Sequence, residues 1–191
     1  MSIWFRRLRL SVTTLVAVAL VQFLPGAATL HGAGLPFALA TVEAGYGAGV
    51  DNTWLARAGL QWQWSQLSSR SECLDFQTRW QLSAGLWRGD RDIVDCSLTP
   101  ILRLGLARPV TGAVFPYLEG AVGFHYISDI AMRNRVFSTN FQFGDHLGVG
   151  CQFGKQRAVD LCYQFQHLSN ASIKRPNAGI NFHIVRIGVR F

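Results

Sequence analysis

Charge is scarce in this chain: only 15% of its 191 residues are Asp, Glu, Lys or Arg. Long apolar runs are almost as rare. A helical membrane protein spends its apolar residues in runs of about 20, and here a single run approaches that, at the very N-terminus. Four cysteines are too few for a disulfide scaffold, and 19 glycines without a three-residue period exclude a collagen-like chain. No His/Cys spacing resembles a zinc site, so no metal is expected. No glycine-rich phosphate loop stands between a strand and a helix, which leaves no nucleotide chemistry, no cofactor and no nucleic-acid partner. What is present in quantity is apolar and aromatic: 49% hydrophobic residues, including 13 Phe, 6 Trp and 4 Tyr. That composition excludes disorder. The length suits one domain, and the question becomes where so much apolar surface goes.

The N-terminal run reads as a transport label. Arg6, Arg7 and Arg9 precede an acid-free apolar stretch from Ser11 to Leu24, followed by Pro25 and small residues. These are the three regions of a secretory signal peptide. Gly26-Ala27-Ala28 fits the cleavage rule, giving a signal over residues 1–28; Ala38-Leu39-Ala40 offers an alternative cut after Ala40. Loss of the three arginines takes the formal net charge from +7 to +4 (15 basic against 11 acidic residues). A single-span anchor is the alternative, for which the stretch is short.

Past Thr41 the sequence alternates with period two, the mark of strands with one apolar and one polar face. Trp54, Ala56, Ala58, Leu60, Trp62 and Trp64 oppose Arg57, Gln61 and Gln63. Phe76, Trp80, Leu82, Ala84 and Leu86 oppose Gln77, Arg79, Gln81 and Ser83. Similar sets follow around Leu102, Val122, Val149, Leu161 and Ile187, and a glycine-rich segment near Thr41–Val50 makes eight. A soluble β-sandwich or a lipocalin-like barrel would bury the apolar face as its core. Two features point elsewhere. The polar faces hold few Lys or Glu and much Gln, Arg, Ser and Gly, as a narrow hydrogen-bonded lumen would. Aromatics gather near strand ends (Trp62/Trp64, Phe115/Tyr117, Phe124/Tyr126, Phe141/Phe143, Tyr163/Phe165), like the interfacial girdles of a membrane barrel. The expected fold is therefore all-β: an eight-stranded antiparallel transmembrane barrel of the outer membrane over residues 41–191, with a polar inside and apolar outside. Phe191, in phase with Val185, Ile187 and Val189, resembles the aromatic end of outer-membrane proteins. Long connections are expected outside the cell near 88–94, 127–140 and 169–180, and short ones on the periplasmic side near 66–74, 107–113 and 154–157. The four cysteines show no convincing pairing: Cys73 and Cys96 fall at opposite ends of one hairpin, and Cys151 and Cys162 have opposite facings.

One stretch breaks the pattern chemically. Two more steps along the lipid-facing parity of Val159, Leu161, Tyr163 and Phe165 reach His167 and Ser169. Residues two apart in a strand point the same way with Cα atoms roughly 6.5–7 Å apart. An imidazole can then reach the hydroxyl and act as its general base. Polar groups on a lipid face are costly and suggest function, unless the strand has already left the hydrocarbon and His167–Asn170 is an ordinary polar rim.

Gln166-His167-Leu168-Ser169-Asn170-Ala171, followed by Lys174, Pro176-Asn177 and Gly179-Ile180, resembles the active-site segment of the lipid A 3-O-deacylases, the PagL family. Gly59-Leu60-Gln61-Trp62, Pro116-Tyr117-Leu118-Glu119 and Phe141-Gln142-Phe143 with Leu147-Gly148 extend the likeness over most of the chain after the signal. The resemblance implies an outer-membrane barrel that hydrolyses the ester-linked acyl chain at position 3 of lipid A, without metal. It also implies a Ser/His/acid triad on the outer wall, with Ser169 as nucleophile and His167 as base. The family's acid, fourteen positions after the histidine, falls on Asn181. An Asn oxygen still accepts the imidazole N–H and fixes the tautomer, but brings no charge.

Asp145 is a second candidate acid, being alone among acids in phase with the lipid-facing residues of its strand. A turn pairing Phe153 with Val159 would set it opposite His167; a two-residue slip would set it opposite Phe165. For the oxyanion, Asn177 and Asn170 supply nearby amides, with the backbone N–H groups of the Asn170–Ser172 turn as alternatives; the other reading is that both asparagines only shape the loop. Lys174 and Arg175 suit a lipid A phosphate or another anionic glycolipid. The expected partner is thus lipopolysaccharide in the outer leaflet; pairing of barrels into homodimers is left open. The rival reading is a non-catalytic small barrel of the OmpX type, acting in adhesion or membrane integrity, which would have no use for His167 and Ser169 together on the lipid side.

Overall fold

The computed structural model describes residues 38–50 and 52–191, so the signal proposed over residues 1–28 lies outside them. Eight long strands follow one another: β1 (Leu39–Ala48), β2 (Trp54–Gln63), β3 (Leu74–Arg88), β4 (Asp92–Leu106), β5 (Val114–Ile127), β6 (Phe141–Phe153), β7 (Val159–Ser169) and β8 (Ile180–Arg190). Each pairs antiparallel with the next, and β8 returns to pair with β1, closing the sheet. Closure removes both sheet edges, so every strand finds main-chain partners on each side, as a bilayer demands. No described helix is long and apolar enough to cross a membrane; the crossing elements are strands.

The barrel begins at Leu39, two residues before the Thr41 start expected from alternation. Leu39 and Ala40 pair on both sides, with Arg190 and Val189 of β8 and with Gln61 and Leu60 of β2. A closed sheet holds these two residues by main-chain bonds that side-chain patterning does not record. Strands β3 and β4 likewise run further than expected, leaving 89–91 as their connection. The long connections 128–140 and 170–179 share one end of the barrel with 49–53 and 89–91, here the outer end. A two-residue ladder, Ala131–Met132 against Arg135–Val136, stiffens the first of these.

Outward side chains are the apolar ones, with Leu102, Leu118, Val122, Leu147, Val149, Leu161 and Ile187 all exposed on the wall. Inward ones over most of the height are polar and buried. Eight strands enclose a space just wide enough to be filled by side chains, so the lumen is a packed hydrogen-bonded column. Arg103 reaches Glu119 at 2.8 Å and Asp160 at 2.6 Å, Arg186 reaches Glu119 at 2.9 Å, and Tyr117 donates to Asp160. Nearer the outer end Arg57 bridges Glu43 and Asp95, and His125 and Trp87 also reach Asp95. Cys162 points into this column, whereas Cys96 lies exposed on the outside.

The expectation of a polar inside fails at the outer end. There Leu55, Trp87, Ile93, Ile127, Leu168, Ile180, Phe182 and Ile184 turn inward and pack with Val50, Met132 and Phe137 from the loops, forming a dry plug. Phe182 and Phe137 lie against the Trp87 ring, with centroids 5.2 and 6.1 Å away. Apolar residues on both parities of the upper strand ends are the mark of a segment that faces lipid on one side and a folded cap on the other.

A candidate hydrolytic site on the outer wall

Strand β7 carries the site because its alternation continues unbroken to its last residue. Gln164, Gln166 and Leu168 are buried inward, while Phe165 is exposed and His167 and Ser169 are half-buried on the outside. The strand ends at Ser169 and Asn170 no longer pairs; Ala171 and Ser172 then adopt positive φ of 52° and 62°. Two consecutive non-glycine residues in the left-handed region mark a strained turn of a kind that concentrates at functional sites.

His167 is flanked by both neighbouring strands. The register places it opposite Asn181 on β8 and opposite Asp145 on β6. The second pairing follows from Phe153 standing opposite Val159, one of the two registers the sequence left open. The side chains divide the two neighbours. His167 Nδ1 lies 2.6 Å from Asn181 Oδ1. An amide oxygen can only accept, so Nδ1 carries the proton and Nε2 is left as the basic nitrogen. Asp145 is exposed on the wall and makes no hydrogen bond or ion pair among the described residues. The Ser169 hydroxyl is equally uncommitted there, two residues along the same face.

The loop 170–179 folds over this pair. Asn170 is buried, and its Nδ2 donates to the carbonyls of Phe137 and Lys174, both at 2.8 Å. Those bonds occupy the amide group that the sequence reading offered to an oxyanion, so its side chain builds the loop. Asn177 differs. Its Oδ1 accepts the Asn170 N–H at 3.2 Å, which leaves its NH2 group without a partner among the described residues. The N–H groups of Ala171 and Ser172 are also unpartnered among them. Lys174 and Arg175 stand exposed at the tip beside the exposed Ile173.

Two residues were missed as members of the site. Gly179 has φ of +57°, and a Cβ there would stand 2.9 Å from His167 Cε1. Its signal was in plain view, a glycine just before the apolar start of β8. Arg135, from the 128–140 loop, donates to the Gly179 carbonyl at 2.8 Å; nothing in the sequence ties those two loops together. Among the described residues no group of three metal-ligating side chains comes together.

A closed antiparallel barrel with an apolar outer wall and a packed polar lumen belongs to the class of outer-membrane barrels. The family model described as lipid A 3-O-deacylase (PagL) matches residues 55–190. The chain belongs to that family, one of carboxylic ester hydrolases of the outer membrane. It is 31% identical over 101 residues to the lipid A deacylase PagL of Bordetella bronchiseptica, a match covering 53% of this chain and 55% of that protein. It is 24% identical over 144 residues to the lipid A deacylase PagL of Pseudomonas aeruginosa, covering 74% of this chain and 80% of that one. Among solved structures, the crystal structure of the outer membrane enzyme PagL superposes with a TM-score of 0.72 at 20% identity, over 81% of this chain and all of that one. That likeness is one of fold.

Proposed function

We propose that this barrel removes the 3-O-linked acyl chain of lipid A by serine ester hydrolysis, with Ser169 as nucleophile and His167 as general base. The observation that carries the reading is the 2.6 Å bond from His167 Nδ1 to Asn181. It orients the ring with a basic Nε2, on the same face as an uncommitted serine, at the outer end of a lipid-facing strand. As Ser169 Oγ attacks the ester carbonyl, its proton passes to Nε2. The oxygen that becomes negative is met by the Asn177 amide and the N–H groups of Ala171 and Ser172. Collapse breaks the C–O bond to the sugar, whose oxygen takes the proton from the imidazolium. Water, activated by the same nitrogen, then releases the fatty acid and restores the hydroxyl.

The outward facing of the pair suits a substrate that is part of the membrane. Access is lateral, and the acyl chain stays in hydrocarbon while its ester meets the site. Lys174 and Arg175 on the exposed loop give the sugar phosphates a cationic neighbour. Mass spectrometry of lipid A from cells making the native protein or Ser169→Ala tests the reading. Loss of one 3-hydroxyacyl chain with the native protein alone is the expected result. Identical lipid A in both would leave the non-catalytic barrel as the better account.

A further inference from the structure

The imidazole of His167 has a roof. Gly179 lies so close that a Cβ there would stand 2.9 Å from Cε1, 3.4 Å from Nε2 and 3.1 Å from the Leu168 carbonyl. Whatever fixes the main chain at 178–179 therefore limits where Nε2 can point. The hold comes from a different loop. Arg135 Nη1 donates to Gly179 O at 2.8 Å and to Ala178 O at 3.2 Å, and its Nη2 donates to Gly49 O at 3.4 Å. Half-buried, the guanidinium is spent on three carbonyls and makes no ion pair among the described residues. Its neighbour completes the grip, since Val136 O accepts the Ala178 N–H at 3.1 Å. Further along, Ser138 Oγ donates to Pro176 O at 2.5 Å and Phe137 O receives Asn170 Nδ2. Residues 135–138 thus hold the 170–179 loop at both ends and at its middle.

We propose that Arg135 is a positioning residue for the hydrolysis: it fixes the 178–179 segment so that Gly179 confines the His167 ring to the orientation in which Nε2 serves Ser169. The proposal rests on the reading of His167 as the base. Arginine suits the task because its planar fork presents several donors at fixed angles. A lysine in its place could serve one carbonyl at a time. The physical lever is distance, since a shift of about 1 Å in a reacting group costs on the order of a hundredfold in rate.

The test compares Arg135→Ala, Arg135→Lys and Gly179→Ala with the native barrel, each refolded and checked by heat-modifiable migration, on detergent-dispersed lipopolysaccharide. The expected result for Arg135→Ala is a kcat lowered by about tenfold to a hundredfold with KM little changed. Arg135→Lys should recover part of that loss, and Gly179→Ala, which pushes on the ring directly, should lower kcat in the same way. A native kcat in Arg135→Ala, or a loss confined to KM, would overturn the proposal. If Arg135→Ala does not fold, Arg135→Lys and Gly179→Ala decide it by the same split. An inactive native protein would instead defeat the underlying reading of Ser169 and His167, which keeps the two failures apart.

Discussion

Asn181 occupies the position where the family resemblance implies an acid, and its chemistry defines what this site lacks. The amide fixes the tautomer of His167 through a 2.6 Å bond, so orientation is not the missing function. On the proposed mechanism, what is missing is negative charge beside the imidazolium formed when Ser169 gives up its proton. Asp145 is placed to supply it. It stands opposite His167 on β6, exposed and without a partner among the described residues. Directly opposite residues in an antiparallel pair have Cα atoms about 4.5–5.5 Å apart, close enough for a carboxylate to act on the ring across a poorly solvated wall. The titratable groups facing His167 from the packed elements are Asp145 on β6 and, one step along, His183 on β8, itself bonded to Tyr163 at 2.6 Å. Lys174 and Arg175 belong to the loop above. If Asp145 provides the charge, Asp145→Asn lowers kcat roughly tenfold, equal to about 1.4 kcal/mol of transition-state stabilisation. Asn181→Asp then restores activity in the Asp145→Asn background. Full activity in Asp145→Asn would show that Asn181 suffices.

At the scale of elements, the outer third of β7 works as a hinge plate between two environments. His167 and Ser169 face lipid while Leu168, fully buried between them, anchors in the apolar plug with Ile180 and Phe182. The plug anchors the strand backbone between the two polar side chains through Leu168. Leu168→Ala should cost about 2–5 kcal/mol, the range for such a truncation in a packed core. It should also lower kcat although neither reacting group is touched. Urea unfolding of the refolded barrel, with turnover measured under native conditions, reads both effects. A lower midpoint at native kcat would separate plug from site. The same element shows what the sequence disclosed and what it withheld. Alternation placed His167 and Ser169 on one face, because side-chain period follows from strand geometry alone, whereas the register that sets Asp145 opposite His167 was one of two open in the sequence and is fixed only by the strand pairing. The plug was missed although Leu168, Ile180, Phe182 and Ile184 put apolar residues on the lumen-facing parity of their strands, because no strand by itself shows what packs against them. Their inward burial depends on a cap supplied from 128–140. Arg135 was hidden for the same reason: it acts through main-chain carbonyls of other loops, and carbonyls carry no sequence signature.

For the whole molecule, stability and chemistry sit on opposite sides of one wall, and they should separate in experiment. The column is held by charges removed from water, a costly arrangement that succeeds when partners are fully matched. Glu119 is central to it, accepting from Arg103 at 2.8 Å, from Arg186 at 2.9 Å and from Gln164 at 2.9 Å. Asp160 is the other carboxylate shared by the same two arginines. Two buried guanidinium groups are thus balanced by two carboxylates, and loss of either acid leaves a buried cation uncompensated. Breaking such a pair by removing one partner costs about 3–5 kcal/mol, so Glu119→Ala should unfold at distinctly lower urea concentration. Glu119→Gln, which keeps the shape and loses only the charge, should fall between it and the native barrel. Turnover responds differently. Gln164, the residue of β7 bonded to Glu119, is five positions from Ser169, or roughly 16 Å at a strand's rise per residue, and its side chain faces the lumen. Where the Glu119 variants remain folded by gel migration, their kcat should stay close to native. A kcat that falls in step with the midpoint would mean that the column reaches through the wall to the site, and that the barrel works as one coupled unit.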